Sequence, residues 1–147
     1  MTTATDTRES LSAALKTSTA EAHDKAEHSV FMDELLAGKL SVADFIALQE
    51  QSWLFYSALE DAARAVADHP LASGIVDPAL ERVNALEHDL DHLHGSTEWR
   101  TTVTPLPATA EYIARLNDIE DTKDVARLLA HHYVRYLGDL SGGQVIG

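Results

Sequence analysis

Within the segment KTSTAEAHDKAEH, Lys16, Thr19, His23 and Glu27 follow one another at intervals of three or four residues. That spacing sets them in a row along one face of a helix. The row carries a cation, a hydroxyl, an imidazole and a carboxylate. An imidazole in this position can ligate a metal ion through one ring nitrogen while Glu27, one turn further on, holds the other nitrogen directly or through water. The ordinary alternative is a partly buried histidine flanked by a lysine and a glutamate on an amphipathic surface.

A second stretch, RYLGDLSGGQVIG (Arg135 to Gly147), continues the well-formed helical pattern DVARLLAHHYVRYL yet admits Gly138, Gly142 and Gly143. Each glycine in a helix interior is about 1 kcal/mol less favourable than alanine, roughly 3 kcal/mol for the three. Such a sequence implies that something comes close to that backbone. Gly138 and Gly142, one turn or ~6 Å apart, make a flat strip. A flat ligand needs an axial donor from one helix and bare backbone from another, and His23 with this strip would supply both. Lys16 lies ~10 Å from His23 along its helix, about the distance from an iron at the centre of a porphyrin to a carboxylate at its edge. Close helix packing through small residues explains the glycines equally well but leaves His23 and Lys16 without a role. Asp139 has its own ordinary reading, an exposed ion pair with Arg135 four residues earlier.

The remaining histidine pairs carry less. In EHDLDHLH, His88 and His92 are one helical turn apart and could in principle hold zinc. The inward stripe of that helix is Val83, Leu86, Leu90 and Leu93, so the histidines and aspartates fall on its solvated outer face. His131 and His132 are ~100° apart around a helix, so one is expected packed and the other exposed.

The elements that must position these residues are helical almost throughout. Apolar residues recur with a period near 3.6, and no alternating run of useful length appears. Leu11, Ala14, Leu15, Ala22 and Ala26 lie near one stripe of a first helix ending around His28. VFMDELLA forms a short second helix stopped by Gly38. Ser41 and Asp44 form a capping box for a long third helix with Phe45, Leu48, Phe55, Leu59 and Val66 inward, closed by His69-Pro70. Asp77 and Pro78 open a helix to about His94, with Gly95 as its stop. ATAEYIARLNDIE is a fifth helix after the TTVTPLP loop, and Asp121 to Asp124 turn the chain into a sixth. The expectation is an all-α assembly of about six helices.

Composition narrows the function. A chain of 147 residues with 45% hydrophobic content is long enough for a single domain, residues 1–147. A net charge of −13, spread along the chain, argues against nucleic acid and anionic membranes as main partners. With no cysteine there is no disulfide, thiolate metal site or cysteine nucleophile. MTTATDTRES has neither the basic nor the apolar region of a secretory signal, and no apolar run approaches the ~20 residues of a membrane span. The cytoplasm is the expected location.

On the residues just described, STAEAHDKAEHSVFM and AHHYVRYLGDLSGGQVI resemble the proximal and distal haem motifs of the haem oxygenases, in particular the bacterial members that degrade haem to obtain iron. The similarity runs from about Leu11 to Ile146 and includes LQEQSWLFYSALE. The resemblance implies an all-α fold holding haem between a proximal helix and a kinked distal helix, with His23 as the axial iron ligand. It places Glu27 behind the imidazole, Thr19 and Met32 on the proximal side, and Lys16 and Tyr133 at the haem propionates. Gly138, Ser141, Gly142 and Gly143 would lie against the other face. Asp139 would organise distal water, with Tyr56 and Arg135 in its hydrogen-bond network. Haem would be both cofactor and substrate, converted with O2 and electrons from an unidentified reductase to biliverdin, carbon monoxide and ferrous iron. The family continues through further helices where this chain stops at Gly147, so the resemblance also implies a domain truncated within the distal helix and lacking the C-terminal helices. From other classes, a haem-binding or haem-transfer protein without turnover remains open, as does a helical interaction module or inactive fragment.

Overall fold

A computed structural model describes residues 9–146. Among them no strand occurs, and no helix is long and apolar enough to cross a membrane. The chain forms two compact units, Met1–Leu40 and Ser41–Gly147, taken here in turn.

In the first unit, α1 (Leu11–Glu27) begins at Ser10, whose hydroxyl accepts the Ala13 N–H, and ends at His28. Ser29 caps α2 (Val30–Leu36) in the same way through the Met32 N–H. Gly38, at φ +65°, takes the left-handed conformation expected of the residue that stops α2.

The second unit is built around α3 (Val42–Val66), which opens with the expected capping box between Ser41 and Asp44. Leu59 and Ala62 from α3 are fully buried against Leu116 and Ile119 of α5 (Pro107–Thr122) and Leu128 of α6 (Val125–His132). Phe45, expected inward, is 39% exposed. Helix α3 is ~37 Å long, and its buried residues run only from Tyr56 to Val66, so its first turns extend past the core.

The helix expected over Pro78 to His94 is broken. Asp77 caps a single 3-10 turn, Pro78–Leu80, Glu81 is extended (ψ 137°), and α4 (Val83–His94) starts afresh from Arg82. The cause lies 22 residues upstream. The buried carboxylate of Glu60 accepts the N–H groups of Arg82 and Val83 at 2.6 and 3.1 Å, satisfying donors that a helix start otherwise leaves open. Gly95, at φ +69°, ends α4 as expected. The sixth rod is likewise interrupted. After α6 comes a π-helical turn, Tyr133–Leu137, and then α7 (Gly138–Ile146). The irregularity precedes the glycines instead of falling on them.

Candidate functional site

Tyr56 on α3 and Asp139 on α7 are 83 residues apart in sequence, and the fold brings them into direct contact. The Tyr56 hydroxyl donates a hydrogen bond to Asp139 Oδ2. Arg82 Nη1 donates to the same oxygen at 2.9 Å, and the Arg82 guanidinium carbon lies 5.7 Å from the centre of the Tyr56 ring. Among the described residues Asp139 Oδ1 accepts no hydrogen bond, which leaves it available to water or a ligand. Tyr56 is 3% exposed. Burial, reinforced by the Asp139 hydrogen bond and charge, pushes its phenol well above the usual tyrosine range, so Tyr56 acts as a fixed donor that does not ionise.

Asp139 begins the α7 face that carries the glycines. A Cβ built on Gly138, Gly142 or Gly143 would meet no atom within 4 Å. Helix packing among the described residues therefore does not account for the three glycines; the strip is an open surface. Ser141 is exposed on the same helix, and Tyr133, 64% exposed, stands at the start of the π turn.

Arg135 is not at Asp139. Its guanidinium carbon sits 4.3 Å from the ring centre of Phe55 and 4.9 Å from that of Tyr112. A cation held over aromatic faces gains ~0.5–2 kcal/mol, against a few tenths for an exposed ion pair one helical turn along. The aromatic pair wins, and the cation at Asp139 is Arg82. Sequence reading overlooked both Arg82 and Glu60. Glu60 did leave a signal, since it sits among Tyr56, Leu59 and Ala63 on the apolar stripe of α3. Arg82 left none.

On α1, the Nδ1 of His23 lies 3.2 Å from Glu27 Oε2, with the two side chains 73% and 60% exposed. The carboxylate beside Nδ1 leaves Nε2 as the ring nitrogen without a protein partner among the described residues, which is the arrangement of a carboxylate behind a metal-ligating histidine. Lys16 and Thr19 are exposed on the same helix, where the Thr19 hydroxyl donates to the Leu15 carbonyl at 2.8 Å. Met32 is half-buried on α2. His88 and His92 are exposed on α4.

His132 is the packed member of its pair, 5% exposed and 4.5 Å centre to centre from the Tyr136 ring. His131 is half-buried, not exposed, because Tyr112 covers it at 5.3 Å. His132 faces an apolar groove lined by Ile75, Leu80, Leu129, Tyr133, Tyr136, Leu137 and Leu140, and burial holds its imidazole below the usual histidine value. The native state therefore resists a proton that the unfolded chain accepts. Its contribution to stability is complete above about pH 6.5 and is lost as pH falls towards the depressed native value, with a slope of at most about 1.4 kcal/mol per pH unit. His132→Phe keeps the ring against Tyr136 and should lessen the loss of stability between pH 7 and 5.5, as read by urea unfolding. Equal losses in both proteins would remove His132 from this account.

Fold and site together define an all-helical chain that keeps one helix face bare of side chains next to an anchored carboxylate. The sequence profile of the family described as "Heme oxygenase" matches residues 9–147. Heme oxygenase 1 of Gallus gallus is 39% identical over 137 residues, covering 92% of this chain and 46% of the relative. Heme oxygenase 1 of Nostoc sp. (strain PCC 7120) is 36% identical over 132 residues, covering 90% of this chain and 55% of the relative. Among solved structures, the heme oxygenase from Leptospira interrogans superposes with a TM-score of 0.83 at 34% identity, over 94% of this chain and 66% of that one. Heme oxygenase-1 from Synechocystis sp. PCC6803, in complex with heme, gives 0.79 at 36% identity, over 90% and 59%. The chain belongs to the haem oxygenase family, and it spans about half the length of the curated relatives it matches.

Proposed function

We propose that this chain is a haem oxygenase of the bacterial, iron-acquiring type, cleaving haem with O2 and reducing equivalents to biliverdin, carbon monoxide and ferrous iron. The reading places it in the cytoplasm with an electron-donating reductase as partner, and treats residues 1–147 as one haem oxygenase domain. The observation that carries it is the Tyr56–Asp139 contact beside the bare strip of Gly138 and Gly142. Membership of the family over 92% of the chain in the Gallus gallus comparison supports the same conclusion.

Two features of the chain fit haem. His23 is an exposed imidazole with a carboxylate beside Nδ1, and the glycine strip gives a surface on which a planar ring can lie without meeting a Cβ. When bound, haem supplies the iron that activates O2 and the ring that is oxidised. His23 would supply the imidazole donor to the iron, with Glu27 beside Nδ1 fixing the ring orientation. A neutral imidazole leaves iron less electron-rich than a thiolate would. Lys16 and Tyr133 would receive the propionates, and Thr19 and Met32 would line the proximal side. Gly138, Ser141, Gly142 and Gly143 would allow close approach of the ring to α7. Asp139, held through Oδ2, would use Oδ1 to orient a water that delivers protons without itself touching the reacting oxygen. Tyr56 keeps that carboxylate in place, and Arg135 packs over Phe55 and Tyr112.

The test is direct. Haem added to the protein should bind and, with a chemical reductant and O2, should lose its Soret band as biliverdin and carbon monoxide appear. A stable Soret band under those conditions would leave a haem-transfer protein; no binding would leave a helical interaction module. Gly142→Leu tests the strip itself. The substitution should stabilise the chain lacking haem by several tenths of a kcal/mol and weaken haem binding at least tenfold. Unaltered binding and turnover would show that no ligand uses that face.

A further inference from the structure

We propose that Arg82 is the positioning residue that fixes the orientation of the Asp139 carboxylate, through a brace that starts at the buried Glu60. The use to which that carboxylate is put rests on the haem oxygenase reading; the brace does not.

Tyr56 and Glu60 stand one turn apart on the inward face of α3. Tyr56 holds Asp139 Oδ2 directly. Glu60, 2% exposed, holds the main chain of Arg82 by its N–H at 2.6 Å and takes the next N–H as well. Helix α4 has no side-chain cap of its own at Arg82, so the place where Arg82 leaves the backbone is set by α3. From there its guanidinium passes over the Tyr56 ring and donates to Oδ2 at 2.9 Å. Helices α3, α4 and α7 are thereby joined in a closed circuit, Glu60 to Arg82 to Asp139 to Tyr56, whose two ends lie on adjacent turns of α3.

An isolated exposed ion pair holds its members loosely, and the Arg82 and Asp139 side chains are 43% and 39% exposed. This pair differs because one end is clamped by a buried carboxylate and the other is shared with a buried phenol. With a single donor the carboxylate is free to turn about its Cβ–Cγ bond. Two donors converging on Oδ2 from different helices oppose that rotation and leave Oδ1 as the accepting atom. Neither neighbouring arginine substitutes: Arg64 is engaged by Asp61 and Glu81, and Arg135 by Phe55 and Tyr112.

Arg82→Met and Arg82→Lys in the full chain test this with two readouts. The first needs no haem: the exchange rate of the Tyr56 hydroxyl proton, assigned by NMR through its absence in Tyr56→Phe. Arg82→Met should exchange at least about tenfold faster than the unsubstituted chain, with Arg82→Lys between them. The second is biliverdin formation by the haem-loaded protein. Arg82→Met should slow it about tenfold to hundredfold, as expected for a misplaced group, at unchanged haem affinity, and Arg82→Lys should recover part of the loss. Unchanged hydroxyl exchange in Arg82→Met overturns the proposal, whether turnover falls or not, because Arg82 would not then act through the Tyr56–Asp139 contact. If the unsubstituted chain forms no biliverdin, the haem oxygenase reading fails, and hydroxyl exchange still decides whether Arg82 holds Asp139.

Discussion

Replacing His23 with alanine should abolish the imidazole-ligated spectrum of the haem complex, and added imidazole should restore it by occupying the space the side chain vacates. Loss of a partner behind a ligating histidine already costs tenfold to a hundredfold in such sites, so loss of the ligand itself should reduce biliverdin formation by about a hundredfold or more. The structure makes the result readable. His23 is 73% exposed on α1, and its recorded partner is the neighbouring Glu27. An exposed substitution of this kind changes stability by no more than about 0.5 kcal/mol, so a lost spectrum reports ligation and not unfolding. Glu27→Gln should give a smaller effect in the same direction, since the amide keeps a polar group beside Nδ1 but removes the charge. An unchanged spectrum in His23→Ala would sink the assignment and leave His28, His131 and His132 as axial candidates. His132 would then have to leave its packing against Tyr136 to reach a ligand.

Asp139→Ala should retain haem and lose biliverdin. A positioned acid or base contributes about 10²–10⁴-fold to a proton-transfer step, and that is the expected fall in biliverdin yield, with haem consumed by unproductive routes instead. The substitution also strips the Tyr56 hydroxyl of its acceptor inside a site that is 3% exposed. A buried donor left unpaired costs about 1–3 kcal/mol, so stability must be measured alongside. Tyr56→Phe supplies the comparison. It breaks the same hydrogen bond but leaves Arg82 on the carboxylate, so it should reduce biliverdin formation far less than Asp139→Ala. Asp139→Asn should keep partial activity to the extent that the amide oxygen holds the same water. Normal biliverdin formation by Asp139→Ala would end the role proposed for this residue.

The parts of this protein legible in the sequence are those in which cause and effect lie within one helical turn or at one turn of chain. Ser41 and Asp44 cap each other because they are three residues apart. Gly38 and Gly95 end helices because their own backbone takes a positive φ, and His23 meets Glu27 because they are four residues apart. The same spacing logic failed where a stronger partner lay elsewhere. Arg135 and Asp139 are also four residues apart, yet Phe55 and Tyr112 take the arginine. Phe45 continues the apolar stripe of α3, yet the core does not reach that far along the helix.

By itself, then, the sequence determined the helices, their caps and stops, the row of Lys16, Thr19, His23 and Glu27, and the strip of glycines, all through intervals of one to four residues. Its motifs also pointed to the haem oxygenase family, which the comparison over residues 9–147 established. Only the tertiary structure decided that the helix expected from Pro78 breaks at Glu81, that Glu60 and not a local residue caps α4, and that Arg82 and not Arg135 meets Asp139. Those outcomes join residues 22 and 57 positions apart, and the Tyr56–Asp139 contact spans 83. A chain with several arginines and carboxylates permits many such pairings. Which ones form is set by where helices cross, and by the competition there among burial, aromatic faces and charge, to which spacing along one helix is blind.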